Sequence, residues 1–209
     1  MALRITTGTV RWLWIPAAAL CALALYLSLV FVASALDGHL ASGKKSNALL
    51  DFSVMAAPWS PDVLVTKAEH LRAYAIAQDL EYRKVTMDEV VTLMERAISL
   101  RPYWPYYQLG ALDAEYLAGK EPAVIQQRLD VIMSLAPNER GLDRNLIELS
   151  LLAWRKLRTD QKRWVAQRIS TSTHATQRQA QLLLGRLIAD DRIYCAELPW
   201  SLVRSHCHR

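Results

Sequence analysis

A run of 25 residues without a formal charge, from Trp12 to Leu36, constrains this chain more than any other feature. The hydrocarbon core of a bilayer is about 30 Å thick, and a helix needs roughly 20 apolar residues to cross it. Trp12 and Trp14 lie at the start of the run, where indole rings favour the level of the lipid headgroups. The sequence therefore predicts one transmembrane helix over residues 12–36, preceded by a short N-terminal tail at 1–11.

Two processing events are alternatives to a permanent anchor. Ala33-Ser34-Ala35 has the small-x-small form of a signal-peptidase site, but the apolar region of a cleaved signal usually covers only about 7 to 15 residues. Cys21 would need a small residue before it to act as a lipoprotein cysteine, and Leu20 precedes it. The length of the run favours an uncleaved signal anchor.

The charges that flank the run indicate its orientation. Arg11 directly precedes the span, whereas Lys44 and Lys45 follow it only after a stretch without Lys or Arg. Basic residues close to a span tend to stay in the cytoplasm, and a large domain is translocated largely regardless of its own charge. We therefore expect a single-pass inner-membrane protein whose bulk lies in the periplasm.

The remainder of the chain has the composition of a helical protein. The whole chain has 7 Gly and 8 Pro, so its loops must be short, and alternating β-branched runs that would predict strands are missing. Capping residues and first-turn prolines mark seven helix starts, the last three opening helices over roughly 139–157, 160–170 and 174–189. The marks are at Pro61, Thr86, Pro105, Pro122, Asn138, Thr159 and Thr173.

The sequence thus predicts an all-α fold in three parts after the membrane helix. Residues 37–59 would form a polar linker with a short helical or extended piece at 48–57. A helical domain would follow at 60–190, and the chain would end in a tail at 191–209.

Part of the helical domain is repeated. The segment 97–102 recurs as 132–137, a shift of 35 residues, and helix pairs with a period near 34 residues are typical of tetratricopeptide repeats. The first alanine and the last proline of segment 97–102 resemble the small helix-B residue and the closing proline of that motif. Tyr106-x-x-Leu109-Gly110 is similar to its helix A, where glycine allows close packing. The resemblance is to a divergent tetratricopeptide-like array, which implies antiparallel helix pairs that bind another protein.

Four aromatic residues crowd the start of one predicted helix: Tyr103, Trp104, Tyr106 and Tyr107. In a helical repeat such rings can line the concave groove and hold a peptide or a sugar by stacking and by hydroxyl hydrogen bonds. The alternative is that they fill the space between helix pairs, as aromatic residues at helical spacing often do. We treat these four residues as a candidate partner-binding groove.

The tail carries two cysteines, Cys195 and Cys207, that close a short loop. In an oxidising periplasm they would form a disulfide that contributes about 2 to 3 kcal/mol to stability. Free thiols are one alternative, and a metal site that includes His206 and His208 is another. The spacing lacks the paired separation of two to four residues that is usual in zinc sites, so a candidate disulfide is favoured and no metal is expected.

Positive charge is concentrated near the C-terminus. From Leu151 onward the chain has 11 Lys and Arg against 4 Asp and Glu. Six of these basic residues, the basic cluster, lie close together: Arg155, Lys156, Arg158, Lys162, Arg163 and Arg168. A basic face can attract acidic polysaccharide or anionic lipid, or it can simply be a solvated helix face. Nucleic acid is not expected, because neither interleaved aromatic residues nor a recognition module accompanies the charge.

The sequence contains no motif that predicts catalysis or a cofactor. A glycine-rich phosphate loop, a His-Glu-x-x-His pair and a Gly-x-Ser-x-Gly turn are all missing. In overall layout the chain resembles the small inner-membrane repeat proteins that accompany bacterial exopolysaccharide synthesis and export. That resemblance implies a protein–protein interaction scaffold in envelope assembly rather than an enzyme. The alternative is a membrane-tethered, chaperone-like adaptor for secreted or pilus proteins.

Overall fold

The computed structural model describes the backbone of residues 7–40, 45 and 47–207, and the side chains of residues 14–33, 45 and 47–207. These described residues form ten α-helices and no strands, which confirms the predicted all-α fold. The helices are α1 (Thr7–Leu40), α2 (Ala48–Ala56), α3 (Pro61–Ile76), α4 (Leu80–Leu100), α5 (Pro105–Leu117), α6 (Pro122–Leu135), α7 (Asp143–Leu152), α8 (Thr159–Thr171), α9 (His174–Ala189) and α10 (Trp200–Val203). Short 3-10 turns are found at Arg140–Leu142, Trp154–Lys156 and Cys195–Glu197.

Helix α1 contains the predicted membrane span. Its segment Trp14–Ala33 is 20 residues long and apolar enough to cross a membrane. Arg4 and Lys44, on which the predicted orientation partly depends, lie outside the described residues, as does the side chain of Arg11. Length and composition therefore identify a candidate span or signal anchor, without fixing its direction.

Helix α2 lies within the short piece predicted at 48–57 and runs back along α1. The hydroxyl of Ser53 donates to the carbonyl of Val30 at 3.2 Å, and the hydroxyl of Tyr26 donates to the carbonyl of Ala56. A later residue of α2 thus contacts an earlier residue of α1, which makes the two helices antiparallel. Val30 and Ala33 are only 1% and 7% exposed as a result.

Helices α3 to α6 pack in chain order as antiparallel neighbours. Arg101, just after α4, lies 3.4 Å from Asp62 in the first turn of α3, so the end of one helix lies beside the start of the other. A buried ion pair between Arg128 and Glu115, 2.7 Å apart, joins α6 to α5. Burial raises the pKa of Glu115, and the hydrogen bond and charge of Arg128 oppose that rise. The carboxylate of Glu115 therefore joins α5 to α6 through this ion pair.

The largest apolar core lies in the C-terminal half, where the tail packs against α7 and α9. Trp154 is among the largest fully buried side chains, and its Nε1 donates to Glu197 of the tail at 3.1 Å. Leu202 and Val203 of α10 belong to the same core. The tail is therefore part of the folded domain and covers the end of its core.

The predicted start of α4 was wrong. Thr86 and the glutamate three residues later form a capping pattern, but Thr86 is fully buried inside the helix. The helix begins at Leu80 because Asp79 caps it, accepting a hydrogen bond from the Tyr82 N–H at 3.0 Å.

The other helix starts agree more closely with the prediction. Helices α3, α5 and α6 begin at the predicted prolines, and Thr173 caps α9 by accepting a backbone N–H bond at 3.3 Å. The helix predicted over 139–157 is shorter, with a 3-10 turn on either side of α7. Glu139, rather than Asn138, caps the first of these turns, its carboxylate accepting from the Gly141 N–H at 3.0 Å.

Candidate binding groove

A groove of about 700 Å³ lies over helices α3, α5 and α7. Helix α5 is bonded to both of the others, through an ion pair to α3 and through a tyrosine hydroxyl to α7. A volume of this size is within the range of about 300 to 1,000 Å³ that is usual for ligand sites. We call this surface the α3–α5–α7 groove.

The floor of the groove is apolar. Ala68 of α3, Met94 of α4, Leu109 of α5 and Leu149 of α7 line it, and all four are buried. Gly110 lies beside them, and the terminal methyl group of Met94 occupies the space that a Cβ at this position would need. The glycine therefore leaves room for the end of the Met94 side chain beneath the groove.

The walls of the groove carry charges of both signs. Arg72 of α3 forms an ion pair with Asp113 of α5, and both side chains remain partly exposed. Glu69 of α3 and the α7 residues Asn145 and Glu148 are exposed and also line the groove. An apolar floor with a few polar side chains along the walls is the usual arrangement of a ligand-binding site.

Two tyrosines of α5 mark the length of the groove. The hydroxyl of Tyr106 donates to Glu139 at 3.4 Å, and desolvation, followed by the nearby carboxylate, raises the pKa of Tyr106. The hydroxyl of Tyr116 donates to the Leu152 carbonyl at 3.1 Å and accepts from Arg192 at 3.1 Å. Ten residues of helix separate the tyrosines, or about 15 Å at the usual rise. That length fits about ten residues of a bound helix or about five of a bound strand.

Two of the four predicted groove residues line the groove in the structure, and two do not. Tyr106 and Tyr107 line the groove, whereas Tyr103 and Trp104 are exposed outside it, in the turn between α4 and α5. Tyr107 is buried, and its hydroxyl donates to Asp62 at 2.6 Å. Burial and this hydrogen bond raise the pKa of Tyr107 to about 12. Tyr107 therefore serves mainly to join α5 to α3, which was the alternative role.

Sequence reasoning did not identify the charged residues of the walls. One signal was available, because Asp113 lies on the same face of α5 as the apolar Leu109 and the two tyrosines of the groove. A carboxylate on an otherwise apolar face needs a partner or a ligand. The position of Arg72, 41 residues earlier, could not be read from that pattern.

The two cysteines of the tail are joined by a disulfide in the structure, with their Cα atoms 6.2 Å apart. Cys207 is buried in the C-terminal core. The ring of His206 instead contacts Gln181 of α9 at 3.2 Å, and His208 lies outside the described residues. Within the part of the chain that the structure describes, no group of three or more His, Cys, Asp or Glu side chains could hold a metal ion.

Much of the basic cluster is used inside the fold. Arg158 pairs with Asp130 at 2.9 Å, and hydrogen bonds from its guanidinium hold the pKa of Asp130 below its usual range. Lys162 pairs with Glu197 at 2.8 Å, and Arg168 is buried. These side chains hold helices together, so binding of an acidic polysaccharide or anionic lipid to this part of the chain stays a prediction.

Comparison with known proteins found no match among family models, curated proteins or solved structures. The tetratricopeptide resemblance therefore stays a prediction. Its marker residues have clear structural roles, however. Ala97 is fully buried between helices, and a Cβ at Gly110 would meet the end of the Met94 side chain in α4, a helix of the preceding pair in the predicted repeat.

Proposed function

We propose that this protein is a membrane-anchored scaffold in bacterial envelope assembly, an accessory of polysaccharide synthesis or export. Its α3–α5–α7 groove would bind a segment of a partner protein. The observation that carries this proposal is the groove itself, which combines an apolar floor with the partly exposed Arg72–Asp113 ion pair. A helix or strand of a partner could place apolar side chains on the floor and polar groups along the walls.

Packing of α1 against the domain supports a retained anchor. A signal peptide is removed from the mature protein. Cleavage after Ala35 would remove Val30 and Ala33, both buried, and would uncover Ala57 and Val63 beneath them. The domain would then expose an apolar surface that α1 now covers, so the structure is better suited to an uncleaved anchor.

The proposed location is the inner membrane, with the domain in the periplasm. A disulfide between Cys195 and Cys207 suits that oxidising compartment. A phosphatase fused after Arg209 should then be active, and a reporter that works only in the cytoplasm should be inactive there. The opposite pattern would place the domain in the cytoplasm.

The groove can be tested in living cells with a photo-crosslinking amino acid. We expect crosslinks to a defined envelope protein from Asn145 and Glu148, which line the groove, and none from Gln127, which is exposed on α6 outside it. Asn145→Arg should reduce polymer secretion, while Gln127→Arg should leave it unchanged. Equal crosslinking from both surfaces would argue against the groove. A secreted or pilus subunit as the captured partner would favour the adaptor function instead.

A further inference from the structure

Helix α2 has two apolar faces, and protein covers only one of them. Leu50 and Ser53 are buried against the rest of the chain. Leu49, Phe52 and Met55 are exposed, and their spacing of three residues places them on one side of the helix. Asp51, the one charged residue of α2, pairs with Lys67 of α3 at 2.7 Å. Large exposed apolar side chains that are grouped together usually mark a surface that contacts protein or membrane. The exposed face of α2 therefore needs an apolar partner.

Contacts with α1 fix the level of α2 relative to the membrane. Ser53 and Ala56 contact Val30 and Tyr26, both of which lie within the candidate span. At the usual helical rise, these two α1 residues lie about 9 and 15 Å before Leu36, the last residue of the uncharged run. Because α2 is antiparallel to α1, it lies along the span, and its last residues lie deepest in the leaflet.

Exposed aromatic residues lie at the same end of the domain. Trp59 follows α2 directly and is exposed. The turn that carries Tyr103 and Trp104 lies beside the start of α3, because the adjacent Arg101 contacts Asp62 there. Trp and Tyr are enriched where proteins meet the membrane–water interface. The two aromatic residues of this turn, which do not line the groove, thus lie near the membrane.

We propose that α2 and Trp59 form a membrane-contact surface, inserted into the leaflet that faces the domain. Leu49, Phe52 and Met55 would contact lipid there. Lipid is the occupant because α2 packs along the outer part of the span itself, at a depth where acyl chains surround α1. The proposal rests on α1 being the membrane span, and it is independent of the partner that the groove binds.

The test places a fluorescent label on α2 in the full-length protein. Single cysteines are introduced in a Cys21→Ala background, since Cys195 and Cys207 are bonded to each other. Met55→Cys, at a position 74% exposed, is matched by Leu182→Cys on α9, at a position 68% exposed. Each variant is labelled with bimane and reconstituted into vesicles of phosphatidylethanolamine and phosphatidylglycerol that contain nitroxide lipids.

We expect the label at position 55 to be quenched by the nitroxide lipids, to be protected from iodide in the buffer, and to emit at a shorter wavelength than the label at position 182. The label at position 182 should be quenched by iodide alone. A second matched pair gives the same comparison for less exposed positions, with Phe52→Cys at 37% and Val124→Cys at 38%.

Three outcomes would overturn the proposal, and they differ in whether the membrane anchor of the proposed function is overturned as well. Equal iodide quenching at Met55 and Leu182 would show that α2 lies in water, with the anchor intact if the protein still resists carbonate extraction. Protection of position 55 from both iodide and nitroxide lipids would show that a protein covers this face. Extraction of the protein by carbonate would show that α1 does not span the membrane, and the membrane anchor of the proposed function would then also be wrong.

Discussion

One buried arginine joins three parts of the C-terminal half, and its removal should destabilise the protein strongly. The Nε of Arg168 in α8 donates to Asp143, the first residue of α7, at 2.6 Å. Its Nη1 donates to the carbonyls of Ala136 and Pro137 at 3.3 and 3.0 Å, and its Nη2 donates to the carbonyl of Glu139. Breaking a buried ion pair from one side typically lowers the free energy of unfolding by about 3 to 5 kcal/mol. Asp143 would keep only a longer contact with the exposed Arg140, at 3.4 Å, which would offset part of that loss.

Arg168→Met tests this magnitude, because methionine keeps an unbranched apolar chain and removes only the charged group. We would measure urea unfolding of the full-length protein in detergent micelles by tryptophan fluorescence. Arg163→Met is the control, since this exposed position lies on the same helix and should change stability by less than about 0.5 kcal/mol. Asp143→Asn in the Arg168→Met background should recover part of the loss, because the buried group left with only the Arg140 contact would then be neutral. A loss below about 1 kcal/mol for Arg168→Met would refute the reasoning that the Asp143 charge depends on it.

Three further sets of variants test other contacts. Cys195→Ser and Cys207→Ser should each lower the free energy of unfolding by about 2 to 3 kcal/mol, and the double variant no further, because both remove one bond. Additive losses, or rapid alkylation of both native cysteines before reduction, would contradict the disulfide. Gly110→Leu should lower the free energy of unfolding by about 1 to 3 kcal/mol, because the introduced leucine side chain meets Met94. Met94→Ala should relieve part of that loss. If Gly110→Leu leaves stability unchanged, the groove floor has room for the larger side chain. The pKa of Tyr107 is raised from 10.0 to about 12, so its contribution to stability should be complete below pH 10 and lost as the pH rises through 12. An absorbance titration of tyrosine ionisation should show a late step that is missing in Tyr107→Phe. Ionisation of Tyr107 near pH 10 would disprove the argument that burial raises its pKa.

The sequence predicted those parts of the fold that local chemistry controls. Proline fixes its own backbone angle and lacks an N–H, so a proline at the first position of a helix is a signal that distant residues seldom override. Thr86 failed as a start because a capping pattern inside a longer helix has no effect once an earlier residue, Asp79, has already capped that helix. The short extent of α7 depends on Glu139 and on Arg168 from the following helix, which no local window contains.

The groove was harder to predict because residues from four helices, α3, α4, α5 and α7, form it. Helical spacing places Tyr106 and Asp113 on one face of α5, and both do line the groove. The same spacing cannot say which helix lies opposite, so Arg72 was not anticipated. Tyr103 and Trp104 were grouped with Tyr106 by closeness in sequence alone, and the turn before α5 separates them from the groove.

The antiparallel packing of α2 along α1 has a consequence for how a partner would meet this protein. A domain on a flexible tether samples all orientations above the membrane, and binding must remove that rotational freedom. Here Val30 and Ala33 of α1 are buried in the domain, so under the proposed function, in which α1 is the anchor, rotation of the domain about α1 would uncover them. A partner in the same membrane would then find the groove already at one height and facing one direction, and less rotational entropy would be lost when the two associate.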